Sequence, residues 1–124
     1  MADGRLRLGT HEFYCAPWDY RRMPADLAGV LARAALTILK GDLNYRRLAG
    51  DRAWPPDTPF AEVASYFPGP VAVLRTLKSD VVTGLSPATV AELDATGQPW
   101  RTDGSHGLIQ VAGTDWIAAS SSVQ

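Results

Sequence analysis

The chain contains two lysines, Lys40 and Lys78, and each lies just past a short apolar run that predicts a buried strand. In a parallel sheet the carboxyl ends of neighbouring strands meet at one edge, and ligands bind in the crevice outside that edge. Two ammonium groups there, together with the guanidinium of Arg75, would suit a phosphate or a carboxylate. The alternative is that each lysine only marks the point where a buried strand reaches water, as charges in loops often do.

The densest group of polar side chains follows the first of these runs, over residues 40–47. Gly41 permits a tight turn, and the side chains after it offer hydrogen bonds to sugar hydroxyls and a clamp for an anion. These side chains are Asp42, Asn44, Tyr45 and Arg46. The alternative is an ordinary helix start, in which Asp42 is the N-cap and Leu43 and Leu48 face the core. Both descriptions can hold for one segment.

Apolar spacing predicts the elements that would position these side chains. In chain order they are a weak strand at 5–14, a helix at 25–35, a strand at 35–39, a helix at 58–67, a strand at 71–74, a helix from Ser86-Pro87 and a strand at 108–111. The helices have residues recurring at i, i+3, i+4 and i+7 or begin at Ser/Thr followed by Pro. Helices alternating with short apolar strands predict an α/β fold, with a mostly parallel sheet and flanking helices.

Composition narrows the class of protein. The chain has 124 residues, 46% of them hydrophobic and 20% charged, which excludes a disordered or low-complexity protein and fits one domain. The net charge is −1, so neither nucleic acid nor a membrane surface is expected as a partner. No apolar run approaches the roughly 20 residues of a membrane span, and the first residues lack the order of a signal peptide. We therefore expect a cytoplasmic protein.

Metal-ligating residue types form no pattern in this sequence. The single cysteine, Cys15, is predicted to be a small buried hydrophobe. The two histidines, His11 and His106, lie far apart, and no Cys/His cluster has zinc-ligand spacing. Asp42 and Asn44 supply two adjacent oxygens, which do not make a metal site by themselves. No residue of this chain is predicted to be a metal ligand.

Two ordered motifs resemble the damage-control phosphatases, in particular subfamily III, a branch marked by Arg-Thr-x-Lys and once proposed to be an acidic-residue methyltransferase. The first motif runs from Lys40 to Arg52 and the second from Arg75 to Lys78, with further matches at 54–56 and 58–60 between them. The resemblance extends from about Leu6 to the strand at 107–110, which is most of the chain.

The resemblance implies a phosphatase that uses a divalent metal, Mn²⁺ or Ni²⁺ or another such ion, on sugar phosphates such as fructose 1-phosphate. Its substrate-contacting positions carry over to Asp42, Leu43, Asn44, Tyr45, Arg46 and Lys78. Lys40, Arg75 and Thr76 would support them. Lys78 would neutralise phosphate charge while the polar segment holds the sugar.

One part of the family pattern is missing from this chain. The resemblance places the metal on an Asp-Asn pair and a further Asp upstream of the first motif, and this sequence has no Asp-Asn dipeptide. We therefore expect residues 1–117 to be the C-terminal portion of the domain, an incomplete three-layer α/β/α sandwich, followed by a loose tail at 118–124. Such a portion would be inactive alone, and a complementary N-terminal half is a possible partner. The alternatives are a non-catalytic anion-binding or interaction module and a non-functional gene fragment.

Overall fold

The computed structural model describes residues 3–114, so the predicted domain end at 117 and the tail at 118–124 lie outside it. Two short 3₁₀ helices, at Glu12–Cys15 and Tyr20–Arg22, precede the regular elements. These elements are α1 (Ala25–Ala32), β1 (Thr37–Lys40), α2 (Asp42–Ala49), α3 (Phe60–Val63), β2 (Val71–Thr76), α4 (Pro87–Ala95) and β3 (Gly107–Ala112).

The three strands form one sheet in the order β1-β2-β3. β1 and β2 are parallel, with Thr37 opposite Val71 and Lys40 opposite Leu74. β2 and β3 are antiparallel, with Val71 opposite Ala112. With helices flanking this sheet, the predicted α/β fold is confirmed, and the parallel pair is the one that the helix–strand alternation predicted.

Local chemistry explains where the elements begin. The hydroxyl of Ser86 accepts a hydrogen bond from the backbone N–H of Thr89 at 3.1 Å, which caps α4, and Pro87 occupies the first turn, where its missing N–H costs nothing. The predicted helix start at Ser86-Pro87 is therefore confirmed. α3 is much shorter than the predicted 58–67 segment, although Phe60, Val63 and Phe67 are all buried as their spacing predicted.

The core lies on one face of the sheet. α2 contacts β1 and β2, and α3 contacts β3. On this face Val71 and Val73 of β2 pack beneath Leu48 and Val63 from the two helices, and all four side chains are buried. Burial of such apolar side chains supplies the main driving force for folding. We call this side of the sheet the covered face.

The opposite side of the sheet carries apolar residues that the described part of the chain leaves in water. Ile38 of β1, Leu74 of β2, and Ile109 and Val111 of β3 are exposed by 59%, 37%, 75% and 52%. Side chains alternate between the two faces of a strand, so these four share one face. We call them the uncovered face. A sheet covered on one side only is consistent with the predicted incomplete sandwich.

Two local predictions are wrong. Residues 5–14 form no strand, since the first regular feature is the 3₁₀ helix Glu12–Cys15. The buried guanidinium of Arg47 holds this segment by donating to the carbonyl oxygens of Phe13 and Trp18, both at 2.8 Å. Cys15 is exposed rather than buried. Among residues 3–114, no helix combines the length and hydropathy that crossing a membrane requires.

Candidate functional site

The carboxyl ends of β1 and β2 meet at one edge of the sheet, as the two lysine-containing motifs predicted. The backbone N–H of Gly41 donates to the carbonyl oxygen of Leu74 at 2.8 Å, so the pairing continues past the end of β1. Lys40 and Thr76 are the exposed last residues of the two strands, and Lys78 is exposed in the loop that follows β2. Cationic groups from both motifs therefore face solvent at this edge.

An ion pair between Arg75 and Asp42 joins the two motifs. Nε and Nη2 of Arg75 lie 3.0 and 2.6 Å from Oδ1 of Asp42, and Nη2 also donates to Ser79 Oγ at 3.0 Å. Nη1 donates to the carbonyl oxygen of Val81, and the guanidinium stacks 4.0 Å from the ring centre of Tyr45. The Arg75 side chain is 0% exposed and that of Asp42 is 15% exposed. The buried guanidinium of Arg75 thus fixes the position of the Asp42 carboxylate.

The amino end of α2 points at the same edge. Its N-cap is Gly41, with φ 98° and ψ 158°, and no side chain within the described residues caps it. The alternative that made Asp42 the N-cap is wrong, because Asp42 is the first helical residue. Leu48 is buried as that alternative required, whereas Leu43 is 60% exposed and does not face the core. Uncapped N–H groups at a helix start attract anions.

The structure places Asn44 in a local hydrogen-bond network. Its amide nitrogen donates to the carbonyl oxygen of Lys40 at 2.9 Å, and its amide oxygen accepts from the hydroxyl of Tyr20 at 2.8 Å. Both contacts fix the turn between β1 and α2, so in this structure Asn44 shapes the edge at which Lys40 and Asp42 lie.

Tyr45 is a core residue beneath the edge. It is 1% exposed, and its hydroxyl lies 2.6 Å from Thr83 Oγ1 and donates to Gln110 Oε1 at 2.9 Å. Burial raises the pKa of the Tyr45 phenol above its ordinary value, while the Thr83 contact and the positive charge of Arg75 partly oppose that rise. The Tyr45 ring stacks against the Arg75 guanidinium and so helps to hold it in place.

Arg46 pairs with an acidic residue that follows α2. It forms a two-point ion pair with Asp51, at 2.8 and 2.9 Å, and hydrogen bonding to Arg46 lowers the pKa of the Asp51 carboxyl. Arg46 and Leu43 line a small cavity of about 180 Å³ beside Asp51. None of the six predicted substrate-contacting residues lines the groove described next, whereas the predicted supporting residues Lys40, Arg75 and Thr76 do.

A groove of about 690 Å³ opens at the sheet edge. Its polar end is formed by Lys40, Gly41, Arg75 and Thr76. Its floor is apolar and consists of Leu74 and Ile109, which belong to the uncovered face. The Arg75 side chain is buried, so the groove places one exposed cation, Lys40, beside a hydrophobic surface, a composition suited to a small anionic molecule.

Sequence reasoning missed several residues that build this edge. Ser79 donates to Asp42, and Gln110 bonds both Tyr45 and the carbonyl oxygen of Thr83, the latter at 2.6 Å. The loop before β3 lies against the Arg-Thr-x-Lys segment, since Gly104 and His106 exchange backbone hydrogen bonds with Leu77. One signal was available: Gln110 is a polar residue inside an otherwise apolar strand, which indicates a buried amide with specific partners.

The described residues do not provide a metal site. Between residues 3 and 114, no three His, Cys, Asp or Glu side chains lie close enough to hold a metal ion. Asp42, the carboxylate at this edge of the sheet, already accepts hydrogen bonds from Arg75 and Ser79, so its charge is largely compensated by the guanidinium. A divalent cation held at this edge would require ligands from residues other than these.

The carboxyl edge of a parallel strand pair, where this chain has cationic groups, is the place at which α/β domains generally bind their ligands. The chain belongs to the family described as "Damage-control phosphatase ARMT1-like domain", which matches residues 2–93 and so includes both motifs.

Relatives within this family are much longer than the chain. The proteins named "Damage-control phosphatase ARMT1" from Mus musculus and Homo sapiens are each 40% identical over 114 residues, covering 89% of this chain and 26% of the relative. The Danio rerio protein of that name is 35% identical over 114 residues, with 89% and 25% covered. The chain thus spans about a quarter of the length of these relatives.

Proposed function

We propose that this chain forms the substrate-binding portion of a divalent-metal-dependent phosphatase that acts on sugar phosphates, with fructose 1-phosphate as a representative substrate. The proposal includes membership of subfamily III and assigns the chain to the C-terminal part of the domain. The single observation that carries it is the meeting of the two motifs at the carboxyl edge of β1 and β2, joined by the Arg75–Asp42 ion pair.

The geometry supports a division of roles at this edge. Lys78 and Lys40 would neutralise the charge of a phosphate, which the N–H groups at the start of α2 would also bind. The carboxylate of Asp42, held by Arg75 through Oδ1, would accept a hydrogen bond from a sugar hydroxyl. Arg75, Thr76 and Asn44 would position these groups, and Tyr45 would support Arg75 from the core.

Metal chemistry belongs to the complete domain in this proposal. A divalent ion such as Mn²⁺ or Ni²⁺ would polarise the phosphoryl group and supply an activated water. Because the described residues do not fit a metal, we expect the ligands to come from a complementary N-terminal portion, and we expect this chain alone to be inactive. The binding edge would hold the sugar phosphate against that portion, in the cytoplasm.

Calorimetric titration with fructose 1-phosphate in the presence of EDTA tests the binding role. We expect saturable binding, and Lys78→Met should weaken it by about tenfold or more, since a hydrogen bond between charged groups contributes roughly 1.5–3 kcal/mol. Arg7→Met is the matched control because it removes one positive charge from an exposed residue that does not line the groove. Absence of saturable heat, or equal weakening by both variants, would contradict the proposal.

Hydrolysis assays test the assignment of the metal ligands. With added Mn²⁺ or Ni²⁺, the purified chain should release no phosphate from fructose 1-phosphate. Addition of the polypeptide that precedes the aligned segment in the mouse relative should restore hydrolysis. Activity of the chain alone would show that its own residues hold the metal, and inactivity of the mixture would contradict the enzymatic role.

A second candidate is a non-catalytic module that binds a sugar phosphate or another anion, or serves an interaction role. The specific observation in its favour is that the edge retains its cations while the described residues offer no metal site. Saturable binding in EDTA, combined with an inactive mixture, would favour it. A non-functional gene fragment, the remaining alternative, predicts neither saturable binding nor a cooperative thermal transition of a soluble monomer.

A further inference from the structure

The uncovered face consists of two rows of side chains that cross the sheet. Ile38, Ala72 and Val111 are opposite one another in the first row, and Lys40, Leu74 and Ile109 are opposite one another in the second. Ile109 is 75% exposed and Ile38 is 59% exposed, which are large values for aliphatic side chains within strands of a sheet. The four apolar residues form one continuous patch with a cation at its border.

Such a patch has a physical consequence. Parallel strands normally occur in sheets that are covered on both faces, and β1 and β2 are parallel. The covered face already carries α2 and α3, so the helical layer that the sheet lacks would lie over the uncovered face. Contiguous exposed apolar surface of this kind is typical of an interaction site.

The length of the relatives bears on what covers the uncovered face. This chain covers 26% of the mouse relative, so about three quarters of that protein has no counterpart here. We propose that the uncovered face is the docking surface for an amphipathic helical segment from the part of the family domain that lies outside the aligned region. This inference rests on the proposed function, in which the chain is one portion of a larger domain.

The face also specifies the chemistry of that segment. Its two rows are two residues apart along each strand, or roughly 6–7 Å. Residues i and i+4 of a helix are about 6 Å apart along its axis, so a helix lying along the strands would set one apolar side chain on each row. An acidic side chain near Lys40 would complement the charge at the border. The same segment would close the groove over Leu74 and Ile109.

Co-expression tests this assignment. A tagged copy of this chain and the polypeptide preceding the aligned segment of the mouse relative would be produced together, and the complex would be measured by size-exclusion chromatography with light scattering. We expect a 1:1 complex, which Ile109→Asp abolishes because it places a charge at the most exposed apolar residue of the patch. Leu8→Asp is the matched control, since Leu8 is exposed but lies in the chain before β1, and the complex should survive it.

Three outcomes would overturn the inference. They are no co-purification with the unmodified chain, a complex that Ile109→Asp leaves intact, and a homodimer of this chain that Ile109→Asp dissociates. The last would assign the face to a second copy. Circular dichroism and a cooperative melt of each variant would show that the substitutions leave the fold intact. Formation of the complex is measured without substrate. The docking inference can therefore fail while fructose 1-phosphate still binds to the chain. Conversely, a chain that does not bind sugar phosphate can still form the complex.

Discussion

Arg75 connects more parts of the candidate site than its position in the Arg-Thr-x-Lys motif suggests. A guanidinium that is fully removed from water must be paired and hydrogen-bonded, and Arg75 meets this requirement through Asp42, Ser79 and the Val81 carbonyl oxygen. The same contacts join β2, the start of α2 and the loop after β2. The residue that orders the edge is therefore buried beneath the groups that would touch a ligand.

Arg75→Met should lower the free energy of unfolding by about 3 kcal/mol, because it leaves the Asp42 carboxylate and the Val81 carbonyl oxygen without their partner. Urea denaturation followed by tryptophan fluorescence would measure the loss. The double variant Arg75→Met/Asp42→Asn should recover part of it, since the orphaned charge is then absent.

Arg46→Met is the control for this series. The ion pair between Arg46 and Asp51 is largely exposed, with 39% and 56% of the two side chains accessible, so its removal should cost less than about 1 kcal/mol. Equal losses for Arg46→Met and Arg75→Met would show that burial does not distinguish the two pairs.

Tyr45→Phe should destabilise the protein by about 1–2 kcal/mol, because it removes the hydroxyl that bonds Thr83 and Gln110 in the core. Thermal and urea unfolding would measure the change. Tyr14→Phe, at a half-exposed tyrosine, should have little effect in the same assays. An unchanged stability in Tyr45→Phe would contradict the buried network described above.

At the scale of the elements, the turn between β1 and α2 depends on one glycine. Gly41 has φ 98° and ψ 158°, a region that is nearly restricted to glycine, and nothing lies within 4 Å of a Cβ built there. Any cost of a side chain at this position is therefore backbone strain rather than a clash.

Gly41→Ala should consequently lower the free energy of unfolding by roughly 1–3 kcal/mol. It should also weaken fructose 1-phosphate binding, because relief of the strain would turn the first N–H groups of α2 away from the edge. Gly9→Ala is the control: its site is equally open, and its φ lies outside the range unfavourable to side chains. Unfolding curves and calorimetric titration would be compared for the two variants, and identical behaviour would contradict the role of Gly41.

The sequence predicted those elements whose signals are local and lie in continuous runs. β1 and β2 are short apolar runs, and α4 starts at a Ser-Pro pair, so pattern alone located them. Residues 5–14 were mispredicted because their shape depends on Arg47, more than 30 positions later, donating to Phe13. A contact of that range leaves no periodicity in the local sequence.

The candidate site could be predicted only in part for the same reason. That the lysine-containing motifs share an edge follows from the pairing of parallel strands, and this was predicted. The burial of Tyr45 and the pairing of Arg46 with Asp51 depend on side-chain packing, which residue type does not reveal. The roles of Ser79 and Gln110 likewise required the three-dimensional contacts.

At the scale of the whole molecule, the burial of three tyrosines determines how the stability of the protein changes at alkaline pH. Tyr45 belongs to α2, and two further tyrosines contact that helix, since Tyr20 donates to Asn44 and Tyr66 donates to the Leu48 carbonyl oxygen. Burial raises the pKa of each of these three phenols above the ordinary value of 10.0. In the unfolded chain the same phenols would ionise at about their ordinary pKa.

The unfolded state therefore releases tyrosine protons before the folded state does. Stability from these groups is complete below about pH 10 and is lost as the pH rises towards the folded-state pKa values, at up to about 1.4 kcal/mol per pH unit for each phenol. Urea unfolding between pH 8 and pH 11 (roughly the range that brackets the ordinary pKa) should show this decline. Tyr66→Phe removes one of the three phenols, so the free energy of unfolding should fall less steeply with pH, by the contribution of one proton. If ultraviolet absorbance showed the three phenols ionising at their ordinary pKa while the protein stayed folded, they would not be buried beneath the helices of the covered face.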